Sequence, residues 1–128
     1  MKFLFYQEYL KKYAGFSKAF NEFLYWCLSE DKEASFARAR GDVSSKEILL
    51  NLDDKEKLLA QKLIRERLEC TDDIFAVKLL SYCGETADIP LIEKKLSFYI
   101  EKDKNKDCNF EYCINTCREV IKTLKNKR

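Results

Sequence analysis

Between Thr71 and Leu124 the chain carries one apolar pattern twice, about 37 residues apart. Phe75-Ala76-Val77 falls on Tyr112-Cys113-Ile114, and Leu80 falls on Cys117. Each copy reads as part of a helix pair, so the segment predicts two stacked helical hairpins. Each pair in such an array buries its apolar face only against its neighbour. The array serves as a binding scaffold far more often than as a catalytic fold.

The first hairpin opens at Asp53. With Glu56 three residues on, it forms a capping-box pattern, and acidic residues crowd the first turn where the helix dipole favours them. The helix is expected to run to about Glu69, with Leu59, Ala60, Leu63, Ile64 and Leu68 inward. Lys62/Glu66 and Arg65/Glu69 have the spacing of ion pairs on its outer side. Thr71 reads as the cap of the next helix, Asp72 to Cys83, which Gly84 ends. That helix is apolar almost all round, with Lys78 and Ser81 as a narrow polar strip, so it belongs in the middle of the stack.

The second hairpin starts near Ala87-Asp88-Ile89-Pro90, where proline suits a first helical turn. Ile89, Ile92, Leu96, Tyr99 and Ile100 form its inward stripe, and Glu101 to Asn109 reads as a polar connection. The last helix places Phe110, Cys113, Ile114, Cys117, Val120, Ile121 and Leu124 on one side. Asn115, Arg118, Glu119, Lys122 and Lys125 line the other, which is the one-sided form a terminal helix needs.

Ten of the seventeen aromatic residues precede position 27, so the N-terminal part (1–40) needs a core of its own rings. Phe3, Tyr6, Leu10 and Tyr13 predict a first helix ending near Gly15. Ser17 caps a second, where Phe20, Phe23, Leu24, Cys27 and Leu28 form an amphipathic stripe. Trp26 lies on the opposite side of that helix. It either packs against another layer or is exposed as a contact anchor. Asp31 to Arg40 reads as a short helix stopped by Gly41, and Gly41 to Ser45 as the best linker. Ser45 to Leu52 is open between a helical turn and an extended segment.

The whole chain of 128 residues therefore reads as a single all-α domain, long enough to bury a core without disulfides or metals. Three glycines and one proline argue against a turn-rich β fold. The net charge is only +2, but it is unevenly placed. Residues 30–90 carry ten basic against fourteen acidic side chains, and 91–128 carry ten against six. The bland reading of this pattern is solvated helix faces; the sharper one is an acidic surface that meets a basic partner. No apolar run approaches the roughly 18 residues of a membrane span. The N-terminus meets polar residues too soon for a secretory leader, so a cytoplasmic protein is expected.

The chain has no histidine, which removes histidine general bases, Ser–His and Cys–His pairs and histidine metal ligands. The glycines stand apart at 15, 41 and 84, so there is no phosphate-cradling loop. Asp53-Asp54 and Asp72-Asp73 sit at expected helix starts, where capping accounts for them. Six cysteines invite a test for metal binding, with Cys108, Cys113 and Cys117 the nearest set. Only Cys113/Cys117 has ligand spacing, and its stripe is otherwise Phe, Ile, Val and Leu, so core packing is the favoured role. No enzyme activity, cofactor or metal is expected. Lys122, Lys125, Lys127 and Arg128 make a basic end, with Lys102, Lys104 and Lys106 in the loop before it. Acidic residues alternate through that loop, so phosphate binding stands second.

The stretch DDIFAVKLLSYCGETADIPLIEKKL, residues 72–96, resembles a HEAT-type unit. In such units a helix ends at Gly, and the next opens with a polar turn, an Ile-Pro-Leu, and a Leu four or five residues on. Ile89-Pro90-Leu91 and Leu96 fit that pattern. With the preceding LNLDDKEKLLAQKLIRERLE, residues 50–69, the segment is similar to small bacterial immunity proteins of polymorphic-toxin and contact-dependent growth inhibition systems. The resemblance covers about residues 50–124. It implies a right-handed stack of about six or seven helices with two HEAT-like hairpins across 53–125. It also implies a non-enzymatic immunity protein that occludes a cognate toxin domain, a basic nuclease being the expected class. The expected contact residues are Asp72, Asp73, Glu85 and Asp88 around the central turns, with Lys78 and Tyr82 on the adjoining helix. The competing expectation is a helical-repeat adaptor or nucleic-acid module that uses the basic C-terminal end.

Overall fold

A computed structural model of the chain describes residues 6–13, 15–105 and 109–127. Phe3, Lys106, Cys108 and Arg128, and the side chains of Tyr6 and Leu10, lie outside the described residues. Among the described residues every regular element is helical. The α-helices are α1 (Tyr6–Lys12), α2 (Lys18–Phe23), α3 (Lys32–Arg40) and α4 (Ser45–Leu50). They continue as α5 (Asp54–Cys70), α6 (Ile74–Cys83), α7 (Ile89–Lys104) and α8 (Glu111–Lys125). They form a helical stack in which α6 packs against α4, α5 and α8, and α8 packs against both α6 and α7. Among the described residues no helix is long and apolar enough to cross a membrane.

The N-terminal aromatics do build a core. Tyr9, Tyr13, Phe20 and Phe23 are buried, and Tyr13 meets Phe20 edge-on at 5.8 Å. Ser17 caps α2, its hydroxyl accepting the Phe20 N–H at 3.2 Å. Helix α2 then widens without a break into a π-helical turn, Leu24–Leu28. Such a turn leaves its last carbonyls without partners in the helix. Two guanidinium groups from elsewhere supply them. Arg38 donates to Trp26 O at 3.1 Å and to Ser29 O at 2.8 Å, and Arg67 donates to Leu28 O at 3.0 Å.

Several local signals act as the residues dictate. Asp31 caps α3, and Gly41 closes it with φ of 78°, a left-handed conformation that glycine adopts at little steric penalty. Asp53 and Glu56 form the reciprocal capping box at the head of α5, with hydrogen bonds of 2.8 and 3.0 Å. Pro90 sits in the first turn of α7. Gly84 closes α6 at φ −79°, so backbone freedom is not its reason. A Cβ there would stand 2.5 Å from Leu80 O.

Other expectations are corrected. The cap of α6 is Asp73, whose carboxylate accepts the Phe75 N–H at 3.0 Å. Thr71 instead finishes α5, its hydroxyl donating to Arg67 O at 2.7 Å. Aspartate reaches the free N–H groups of the first turn more readily than a β-branched threonine already turned back. Ser45–Leu50 is helical, which resolves the open segment. Helix α7 runs to Lys104, four residues into the expected connection, because Glu101-Lys102-Asp103-Lys104 are tolerated in a helix. Arg65 turns to Asp88 instead of Glu69, since a buried carboxylate is a stronger partner than an exposed one.

The core runs as one cluster from Tyr9 to Leu124. In α5 the inward register carries Ala60, Leu63, Ile64 and Leu68 as expected, together with two charged residues, Glu56 and Arg67, at 3% and 5% exposure. Helix α6 buries Ala76, Val77, Leu79 and Leu80, as its almost wholly apolar surface requires. Helix α8 buries Cys117, Val120, Ile121 and Leu124 and exposes Arg118, Glu119 and Lys122, the one-sided form expected of it. Phe110 stacks on Tyr99 at 5.8 Å and receives a cap from Asp103, which locks the entry to α8.

Candidate functional site

The six residues expected at a partner face do not form one patch. Asp72 is half exposed and pairs with Lys95 at 3.1 Å, while its own carbonyl accepts the Tyr99 hydroxyl. It ties the α5–α6 turn to α7. Asp73 is a support for the fold: beyond capping α6, its second oxygen accepts from Arg67 Nε at 2.6 Å. Asp88 is a correction to the expected surface. Its side chain is 6% exposed, it takes Arg65 through two bonds of 2.7 and 3.0 Å, and it accepts the Glu85 N–H at 2.8 Å. A carboxylate so enclosed, with three hydrogen bonds already made, presents little surface to a partner.

Lys78, Tyr82 and Glu85 remain on the surface, but they look in two directions. Lys78 lies in a cleft of about 610 Å³ beside Arg38, Phe75 and Tyr112, with Nζ 4.8 Å above the Tyr112 ring. Tyr82, 50% exposed, and Glu85 line a different and larger groove of about 860 Å³. Helix α4 supplies Lys46, Leu49 and Leu50 to that groove, α5 supplies Lys57 and Gln61, and the end of α6 supplies Tyr82 and Cys83. Lys127 closes it from the C-terminal end.

The local sequence explains the groove. Leu49 points inward from α4 at 5% exposure, which turns the adjacent Leu50 outward at 63%. The last carbonyls of α6 would lie bare at its floor. Gln61 donates to Cys83 O, and Lys127 Nζ donates to Gly84 O at 3.0 Å. Both acceptors are thereby satisfied, as buried backbone requires. The wall that remains combines apolar surface with lysine: among the described residues Lys46 and Lys57 carry no ion pair, and Glu85 is the one acidic side chain lining the groove.

The cleft near Lys78 has a different character. Arg67 is held by Asp73 and by Glu30 at 3.0 Å, and Arg38 is committed to backbone carbonyls. Burial and the nearby Arg67 charge lower the affinity of Arg38 for its proton, and Asp73 and Glu30 act in the opposite sense. Arg67 and Arg38 are thus occupied in joining the π-helical turn to α5, α6 and α3. Sequence reasoning missed Arg38 and Arg67, and it missed the burial of Glu56 beyond its capping role. A signal existed for two of them, since Glu56 and Arg67 both fall on the inward register of α5, where a charged residue needs a buried partner.

Cys27 and Cys117 are buried, Cys83 and Cys113 are partly buried, and Cys70 is exposed. Burial pushes Cys27 and Cys83 up to about 12 and Cys117 up to about 11, so they stay protonated at neutral pH. Among the described residues no three His, Cys, Asp or Glu side chains are placed to hold a metal ion. Trp26 takes an intermediate position: its indole N–H donates to Glu22 at 2.9 Å and its ring meets Tyr25 edge-on at 4.8 Å.

No protein-family model, curated protein or solved structure matches this chain.

Proposed function

We propose that this chain is a non-enzymatic, cytoplasmic immunity protein. It binds a cognate toxin domain, a nuclease being the expected class, and covers that domain's active site or substrate surface. The observation that carries the reading is a preformed groove with Leu50 and Tyr82 exposed at 63% and 50%. Large apolar side chains left in water within a concave surface mark interaction sites. The pairing of α5 with α6 and of α7 with α8 supports HEAT-like hairpins, which offer a rigid surface that loses little freedom on binding.

Co-expression tests this. The chain is tagged in its native cells, the lysate is treated with nuclease, and the protein that remains bound is identified. That protein should arrest growth when expressed alone and be silenced by this chain. A bound protein with no toxicity would sink the immunity reading.

A second reading, a nucleic-acid module using the basic end, is favoured by Lys122 and Lys125, which are exposed on α8 beyond the groove. Binding of that kind weakens steeply with salt and with truncation after Ile121.

A further inference from the structure

We propose that the groove between α4, α5 and the end of α6 takes an acidic segment of the protein partner, with an apolar side chain at its centre. The inference rests on the binding role proposed above and names the chemistry of what binds. It reverses the charge expected from the sequence, where an acidic face was to meet a basic partner.

The argument is one of placement. Lys46, Lys57 and Lys127 stand around the groove against a single carboxylate, Glu85. Lys46 is exposed on the first turn of α4 and Lys57 is half-buried on the second turn of α5, so two walls of the groove carry cations. Neither has an ion pair among the described residues, so neither charge is neutralised by them before a partner arrives. Glu85 lies 3.9 Å from Arg65, which partly offsets the one negative charge at the edge. Leu50 and the Tyr82 ring line the same groove and are both exposed.

A segment with carboxylates flanking a leucine or aromatic residue matches this surface at both levels. The apolar side chain displaces water from Leu50 and Tyr82, and the carboxylates meet lysines at the rim, where water keeps desolvation small. An acidic amphipathic helix or an extended acidic strand satisfies the same chemistry. Nucleic acid fits less well. The leucine offers nothing to phosphate, Glu85 repels it, and none of the walls presents an arginine fork.

The test uses the full chain in its native cells. A photoreactive phenylalanine analogue replaces Leu50, which is exposed and outside the core, and a second variant carries it at Phe36 on α3, exposed at 59% and away from the groove. After irradiation the attached peptide is sequenced. The expected product is a protein segment attached at position 50, rich in Asp and Glu around an apolar residue. A fluorescent synthetic copy of that segment should bind the chain directly. Binding should fall about tenfold or more in Lys46→Glu/Lys57→Glu, and the wild-type affinity should weaken with salt while the variant's barely moves. Leu50→Ser should weaken binding without changing the salt slope. A basic segment at position 50 overturns the groove assignment and leaves the binding role standing. So does a partner attached at position 36 alone. Attachment to nucleic acid, to a second copy of this chain, or to nothing at either position overturns both.

Discussion

Arg67 Nε stands 2.6 Å from the Asp73 carboxylate, and this contact closes the turn between α5 and α6 from within. The same guanidinium reaches back to Leu28 O and to Glu30, so one side chain joins the aromatic N-terminal part to the helical pairs. Arg67 is 5% exposed, and removing one partner of a buried pair strands the other. Arg67→Ala should therefore cost about 3–5 kcal/mol in urea unfolding. A loss below about 1 kcal/mol would show that the pair is a bystander.

The three aspartates expected at the partner face should separate in the same measurement. Asp73→Ala removes a helix cap and a buried charge partner, and should cost more than Asp73→Asn, which keeps a capping oxygen. Asp88→Ala strands the partly buried Arg65 and releases the Glu85 N–H, so it should also unfold early. Asp72→Ala removes a half-exposed carboxylate from Lys95, which keeps its bond to Thr71 O, and should stay within about 1 kcal/mol of wild type. Asp72 is thus the clean probe of this edge. Charge reversal at Asp73 would report folding.

Glu56 predicts a pH dependence. Burial pushes its carboxyl up, but hydrogen bonds from the Ser17 hydroxyl and from the Asp53 and Ser17 N–H groups outweigh burial and hold it below the ordinary range. The unfolded chain then binds this proton at higher pH than the folded one. The stabilisation is complete above the unfolded value of about 4.3 and is lost as pH falls through the lower folded value. Urea midpoints taken from about pH 6 down to about pH 3 should fall more steeply for wild type than for Glu56→Gln. Parallel curves would refute this role.

Two glycines should fail for different reasons. Gly41 has φ of 78° with open space around the position of a Cβ, so Gly41→Ala costs about 1 kcal/mol and Gly41→Asn less, because Asn tolerates that backbone. Gly84 has ordinary φ but a Cβ would meet Leu80 O at 2.5 Å. Gly84→Ala should cost about 1–3 kcal/mol by forcing α6 and the following turn apart, and Gly84→Asn should be no better. Thermal unfolding of the four variants checks the contrast.

Among the five described cysteines, Cys70 is exposed and should react first with a thiol reagent in the native protein. Cys27 and Cys117 are fully buried and should wait for unfolding, and the raised pKa of Cys83 slows it as well. Early reaction at Cys27 would mean that the core around α2 opens locally.

Most helices were legible in the sequence because their signals are local. Ser17, Asp31 and the Asp53/Glu56 box act within one turn, and the stripes of α2, α6 and α8 recur at helical spacing whatever they pack against. The central place of α6 was legible too, because an almost wholly apolar helix has nowhere else to go. The site was far less so. Periodicity marks a face as wet or dry, but it carries no information on which carboxylate meets which cation.

Sequence by itself determined the all-helical class, the order of the elements and the identity of most core residues, since each depends on neighbours a few positions away. Tertiary structure decided the rest. It took Asp88 and Asp73 out of solvent because Arg65 and Arg67 arrive from six to 23 positions away. It set Lys46, Lys57 and Lys127 around one groove although the last is some seventy residues from the others, because electrostatic complementarity depends on distance in space rather than along the chain.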